Sequence, residues 1–227
     1  MSQTPAEAKQ PFEITIALER VRTAIAPFPK AAMFELYERG HTSLFAQLVG
    51  CMLSIRTLDE VVLPVSLRLL ERAPDAAAMA RLEVAEIETL IASVTFAGQK
   101  AHRIRALAEK ALSDHGGEPP CDPVALQEFS GIGPKCAHLS LGIACEVPYI
   151  SVDIHVHRIC NRWGYVAATT PEKTLKALEA VLPQLHWIEI NSLLVPFGKH
   201  ICTGNRPKCS QCPLEPMCRQ VGVTSHR

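Results

Sequence analysis

The sequence predicts an all-α fold, and three observations carry that expectation. Apolar residues recur three and four positions apart along most of the chain, the spacing of one helix face. Prolines and glycines fall at the ends of these periodic segments, where helices start and stop. Val147–Val152 is the only β-like run.

Taken in order, Phe12–Ala26 aligns Ile14, Leu18, Val21 and Ile25 on one face, and Pro27 and Pro29 end it. Ser43 can cap a helix from Leu44 to about Ile55, because its hydroxyl accepts a free first-turn amide. Asp59–Arg72 repeats Val62, Leu63, Leu67 and Leu70. Val84–Val94 follows, then Lys100–Ser113, which stops at His115-Gly116-Gly117. Val124–Phe129 and Pro134–Ala144 are two short helices joined by a glycine-containing turn. Ile154–Trp163, Pro171–Val181 and His186–His200 complete the series, with Thr170 before Pro171 as a helix start.

The composition narrows the function classes. Leu44–Ile55, the most apolar stretch, is shorter than the roughly 20 residues a membrane-spanning helix needs. Met1–Glu13 is polar and lacks the apolar region of a signal peptide. The expectation is a soluble monomer without a membrane partner, cytoplasmic and, if bacterial, nucleoid-associated. With 23 basic and 23 acidic residues the formal charge is zero, so no chain-wide basic footprint marks a nucleic-acid partner. The distribution is uneven, however. Glu71, Asp75, Glu83, Glu86 and Glu88 form an acidic stretch, followed by basic Lys100, His102, Arg103, Arg105 and Lys110. Arg158, Arg162, Lys199, Arg206 and Lys208 add basic charge later. This pattern allows a one-sided basic surface, and equally allows ordinary solvated helix faces.

Nine cysteines are many, and their odd number leaves at least one outside any set of disulfides. Cys51, Cys121, Cys136, Cys145 and Cys160 are scattered, whereas Cys202-x6-Cys209-x2-Cys212-x5-Cys218 crowds four into the tail. Zinc sites usually pair two short knuckles, each with two cysteines a few residues apart. Only the middle pair is a knuckle here, so the spacing favours an iron–sulfur cluster ligated by four cysteines over zinc.

Phe129-Ser130-Gly131-Ile132-Gly133-Pro134-Lys135 forms a helix-hairpin-helix pattern. Gly131 and Gly133 permit a tight turn with positive φ, and the amides of the turn and of the next helix can hold a DNA backbone phosphate without reading sequence. Lys135 falls in the first turn of that helix, at the positive end of its dipole. An uncharged lysine amine there is a nucleophile able to form a Schiff base with a sugar carbon. A solvated or phosphate-binding lysine is the plainer alternative. Asp153, in Ser151-Val152-Asp153-Ile154-His155, precedes an apolar-periodic segment and reads as an N-cap. A carboxylate held there could also stabilise positive charge on a sugar or accept the lysine's proton.

These three features, in this order, resemble the endonuclease III family over about residues 12–219. Gly131-Ile132-Gly133-Pro134-Lys135 resembles the family's hairpin with its catalytic lysine. Ser151–His155 through Arg158-Ile159-Cys160-Asn161-Arg162 resembles its aspartate segment, and Cys202, Cys209, Cys212 and Cys218 match its [4Fe–4S] ligands. The resemblance implies two helical domains flanking a DNA-binding cleft: a six-helix barrel over residues 37–147, and a cluster domain of residues 1–36 and 148–227. It implies a DNA glycosylase and AP lyase of base excision repair, acting on duplex DNA with damaged bases or abasic sites. Oxidised pyrimidines would be flipped out, Lys135 would attack C1′, and β-elimination would cut the strand. Arg56 and Phe96 occupy the family's stack-filling positions, where a glutamine and a leucine–aromatic pair are common. Cys136 and His138 also depart from its pattern. A thymine- or uracil-mismatch glycosylase and a non-catalytic damage-binding iron–sulfur protein are the competing expectations. An adenine-mismatch enzyme is disfavoured by Lys135 and by the absence of a carboxylate in Cys51–Ile55.

Overall fold

The computed structural model describes residues 9–227, so residues 1–8 of the expected cluster domain and of the polar N-terminus lie outside it. Among the described residues the fold is all-α, with no strand. No helix among them is long and apolar enough to cross a membrane. The chain divides into two compact units, one of Met1–Pro29 and Val152–Arg227, the other of Lys30–Ser151.

The Lys30–Ser151 unit is built around α3 (Leu44–Ser54). Every residue of α3 from Leu44 to Leu53 is buried, because helices surround it: α2 (Ala32–Glu38), α4 (Asp59–Arg72), α7 (Ala97–His115) and α9 (Pro134–Cys145). Ser43 caps α3 as its sequence predicts, accepting from Ala46 N–H at 3.1 Å. A second cap comes from far along the chain. Glu118 Oε1 accepts from Leu44 N–H at 2.5 Å and Phe45 N–H at 3.2 Å, satisfying two first-turn amides that the helix itself cannot.

Short helices complete this unit: α5 (Ala76–Arg81), capped by Asp75, α6 (Val84–Leu90) and α8 (Pro123–Leu126), capped by Asp122. Leu48, Leu69, Met79, Ile87, Ile104 and Leu141 make a core in which each large apolar side chain contributes roughly 1.5–3 kcal/mol. The expected helix Val84–Val94 ends early at Leu90, where turns begin. The expected Lys100 start is preceded by one more turn of helix from Ala97.

The β-like reading of Val147–Val152 is corrected by the structure. The segment is irregular because no second strand exists among the described residues to pair with it. Its backbone bonds locally instead, Tyr149 N–H to Val147 O at 2.8 Å, while Ile150 O meets His138 Nδ1 at 3.3 Å. Of the cysteines scattered along the sequence, Cys121 and Cys145 form a disulfide. The bridge ties the loop before α8 to the end of α9 and brackets the hairpin between them.

The other unit packs α1 (Ile14–Ile25) and α10 (Ile154–Trp163) on α12 (Glu189–His200), with α11 (Pro171–Val181) beside α10. The last expected helix begins three residues late, because a 3-10 turn occupies Gln184–His186. Gly198 permits the close approach of α10 to α12. A Cβ there would collide with His155 Nδ1 and come within 3.0 Å of Arg158 Nη2.

Candidate functional site

The hairpin joins α8 to α9 inside the Lys30–Ser151 unit. Gly131 has φ +90°, a conformation that favours glycine, and Ile132 N–H closes the turn on Phe129 O at 3.1 Å. The expected positive φ at Gly133 is not found: it is extended, at φ −93° and ψ 173°, and serves as the N-cap of α9. Neither backbone strain nor crowding calls for glycine at 133. A Cβ there would meet nothing within 4 Å, so the space before the N-terminus of α9 is open. Pro134 starts the helix with φ preset, and Lys135 follows it, exposed to solvent. Behind Lys135, Cys136 and Cys51 are buried and hydrogen-bonded to each other, and that bond together with burial holds the Cys136 thiol well above its ordinary range. His138 stacks on Tyr149 with ring centroids 4.7 Å apart. Packing therefore accounts for both residues beside Lys135.

Arg56 and Phe96 sit on neighbouring loops of the same unit. Both are left-handed, at φ 55° and φ 60°, where a side chain costs of order 1–3 kcal/mol unless its surroundings hold it. The Arg56 guanidinium carbon lies 5.9 Å from the centre of the Phe96 ring, within cation–π reach. Phe96 is 52% exposed and Leu58 71%, with Ile55 also at the surface, so these loops present apolar side chains to solvent.

The residue that sequence reasoning missed is Lys100. Counted among the basic stretch, it is instead only 4% exposed. Its ammonium donates to Leu53 O and Ile55 O, both at 2.7 Å, and to Thr57 Oγ1 at 3.1 Å. Burial pushes its pKa down to about 8. The signal was a lysine on the stripe shared with Ile104, Leu107 and Ala111, all buried. Other members of that basic stretch are engaged with acids: Arg105 pairs with Glu83 and Glu109, and Lys110 with Asp114 and Glu128.

In the other unit, Asp153 caps α10. Its Oδ1 accepts from His155 N–H at 2.9 Å and Val156 N–H at 2.8 Å, so the N-cap reading holds. Both bonds fall on Oδ1, so the cap does not use Oδ2.

Cys202, Cys209, Cys212 and Cys218 line one small cavity, with Trp163, Phe197 and Arg162 among its walls. Arg162 donates to Cys202 Sγ at 3.6 Å and to Thr203 O at 2.6 Å, and Arg158 donates to Cys202 O at 3.1 Å. Gln220 N–H donates to Cys218 Sγ at 3.4 Å. Burial raises Cys212 to about 12 and Cys218 to about 11. Among the described residues no three His, Cys, Asp or Glu side chains are grouped as a single metal ion requires.

Residues 49–184 match the model of the HhH-GPD superfamily base excision DNA repair proteins. The chain is 37% identical over 186 residues to endonuclease III of Thermotoga maritima, covering 80% of this chain and 86% of that protein. It is 40% identical over 185 residues to the chloroplastic endonuclease III homolog 1 of Arabidopsis thaliana, covering 77% of this chain but only 48% of that longer relative. Among solved structures, a trapped endonuclease III–DNA covalent intermediate superposes with a TM-score of 0.79 at 26% identity, covering 91% of this chain and 94% of that one. A thermostable thymine-DNA glycosylase superposes with a TM-score of 0.71 at 18% identity, covering 91% and 97%, a likeness of fold alone. The chain belongs to the endonuclease III family of the HhH-GPD superfamily of base excision DNA repair proteins.

Proposed function

We propose that the protein is a bifunctional DNA glycosylase and AP lyase that removes oxidised pyrimidines from duplex DNA. The observation that carries this reading is Lys135, exposed in the first turn of α9 directly behind the open backbone of Gly133. A DNA phosphate can approach the amides of that helix end, which brings the sugar next to the lysine. Flipping the damaged nucleotide costs a few kcal/mol, less where stacking or pairing is already weakened. Lys135 Nζ then attacks C1′, the glycosidic bond breaks, and the base leaves with a proton. The sugar ring opens to the Schiff base, loss of a C2′ proton breaks the C3′–O bond, and water releases the lysine. Asp153, whose Oδ2 is left over by the cap, stabilises positive charge at the sugar or takes the lysine's proton. Arg56 and Phe96 fill the space vacated by the flipped base.

The four tail cysteines fit a [4Fe–4S] cluster. Four thiols around one cavity supply a cubane's full ligand set. The cluster, held by Cys202, Cys209, Cys212 and Cys218, would cross-link the tail; no step of the chemistry is assigned to it.

The test is a panel of duplexes with defined lesions, scored separately for base release and strand cleavage. Oxidised pyrimidines should give both, and Lys135→Gln should abolish both. Base release from thymine or uracil mismatches alone, without cleavage, would replace this reading with that of a mismatch glycosylase. Binding without release would leave a damage-binding protein.

A further inference from the structure

Arg56 and Phe96 share a feature that the family likeness does not explain: both hold side chains in left-handed backbone, on separate loops, side by side. Conformations of this kind persist only when the surroundings over-determine them. One residue reaches both. The Lys100 backbone N–H donates to Phe96 O at 3.0 Å, and its ammonium grips Ile55 O and Thr57 Oγ1, the neighbours of Arg56 on either side. Its third bond, to Leu53 O, anchors this grip in the last turn of α3. Thr95 closes the circuit. Its hydroxyl donates to Arg56 O at 2.8 Å, and its N–H donates to Thr57 Oγ1 at 3.2 Å.

The position of this grip matters as much as its bonds. Lys100 forms part of a small concavity lined also by Met52, Ile55, Phe96, Arg103 and Gly131, so the two loops and the hairpin glycine border the same space. A movement of either loop therefore alters the surface beside the hairpin. An ammonium suits this task because it offers three donors on a flexible stem and the acceptors converge from three directions. A methionine could fill the same volume but satisfies none of the acceptors, leaving carbonyls at the end of α3 unpaired.

We infer that Lys100 is a positioning residue, whose ammonium fastens the Arg56 loop to the start of α7 beside Phe96, so that both side chains enter the duplex as one rigid wedge. The inference rests on the reading that these two side chains fill the DNA stack. It separates two activities. Base release from a duplex needs the wedge, because the base must be extruded and the gap held open. Schiff-base formation on a single-stranded abasic site needs Lys135 but no wedge, since no base has to leave a stack.

The experiment measures both activities in Lys100→Met and Thr95→Val, with circular dichroism and thermal melting as folding controls. Single-turnover base release from a lesion-containing duplex should fall roughly tenfold or more in Lys100→Met, the scale of a small misplacement of reacting groups. Thr95→Val should show a smaller loss in the same sense, and as an exposed residue it gives an answer even if Lys100→Met does not fold. Borohydride trapping on single-stranded abasic DNA should stay within about twofold of wild type in every folded variant. Equal losses on both substrates, or Thr95→Val releasing base at the wild-type rate, would overturn the inference. Failure of the underlying reading looks different: wild-type protein would then release no base from any duplex, or Lys135→Gln would still be trapped.

Discussion

The paired loops of Arg56 and Phe96 and the cysteine tail are both irregular chain, yet they are held in opposite ways. The loops hang on a buried ammonium from a helix rooted in the main core. The tail after Ile201 buries few large apolar side chains, Leu214 and Met217 among them, and its backbone combines short turns such as Cys212 N–H to Cys209 O with ties to earlier chain such as Val221 N–H to Arg162 O. The first arrangement is complete within the protein. The second surrounds a cavity with sulfur. A loop can be fixed by hydrogen bonds when a core is near; where little apolar surface is buried, a bound group would add to the hold.

The largest predicted effect is in the tail. Purified protein should be yellow-brown with about four irons per chain. Cys209→Ser or Cys212→Ser should yield insoluble or unfolded protein, because the loop lacks apolar burial to fall back on. Stoichiometric zinc in colourless protein would remove the basis of the contrast.

The Lys30–Ser151 unit should respond to a different reagent. The Cys121–Cys145 bridge closes a loop of sequence separation 24, for which chain entropy gives about 3.5 kcal/mol. Cys121→Ser should lower stability by up to that amount while the iron content stays unchanged. A loss of iron in that variant would contradict this expectation.

A smaller effect concerns specificity. Arg56→Gln should flatten the dependence of activity on the base opposite the lesion, since a guanidinium offers only donors where an amide both donates and accepts. Phe96→Ala should instead lower activity on every lesion, because a ring carries no hydrogen-bond code. An unchanged opposite-base profile across matched duplexes would reduce Arg56 to a surface residue.

The smallest effect is in the pH dependence of stability. The folded pKa of Lys100 is lowered to about 8 from 10.5, so between those values the unfolded chain binds more protons than the folded one. The cost of burying the charge is fully present below about 8 and is relieved as pH rises towards 10.5. Wild type should therefore gain stability relative to Lys100→Met across that window, measured by denaturant titration at fixed pH. A flat difference would mean the ammonium is better solvated than its burial implies.

What the sequence made legible follows the same division. Ile154–Trp163 and Pro171–Val181 were readable to the residue because a strong cap and an apolar period mark each. The all-α class followed from such segments, and the family from Lys135, Asp153 and the cysteine spacing. The short helices Ala32–Glu38 and Ala76–Arg81 were not legible, since six or seven residues scarcely complete a period. Asp75, which caps the second, looked like one more member of an acidic run. Lys100 showed its burial in the stripe of α7 but not its partners, and Glu118 was missed because it acts on backbone groups more than 70 residues away, a bond no local pattern records. The disulfide was hidden likewise, because two cysteines 24 residues apart carry no sign of meeting.

The central claim, that Lys135 is the nucleophile, is tested most directly by borohydride trapping on abasic-site DNA followed by peptide mapping. The account predicts one covalent adduct per chain, on Lys135, lost in Lys135→Gln while circular dichroism and iron content remain those of wild type. An adduct on another lysine, or undiminished trapping in that variant, would contradict it.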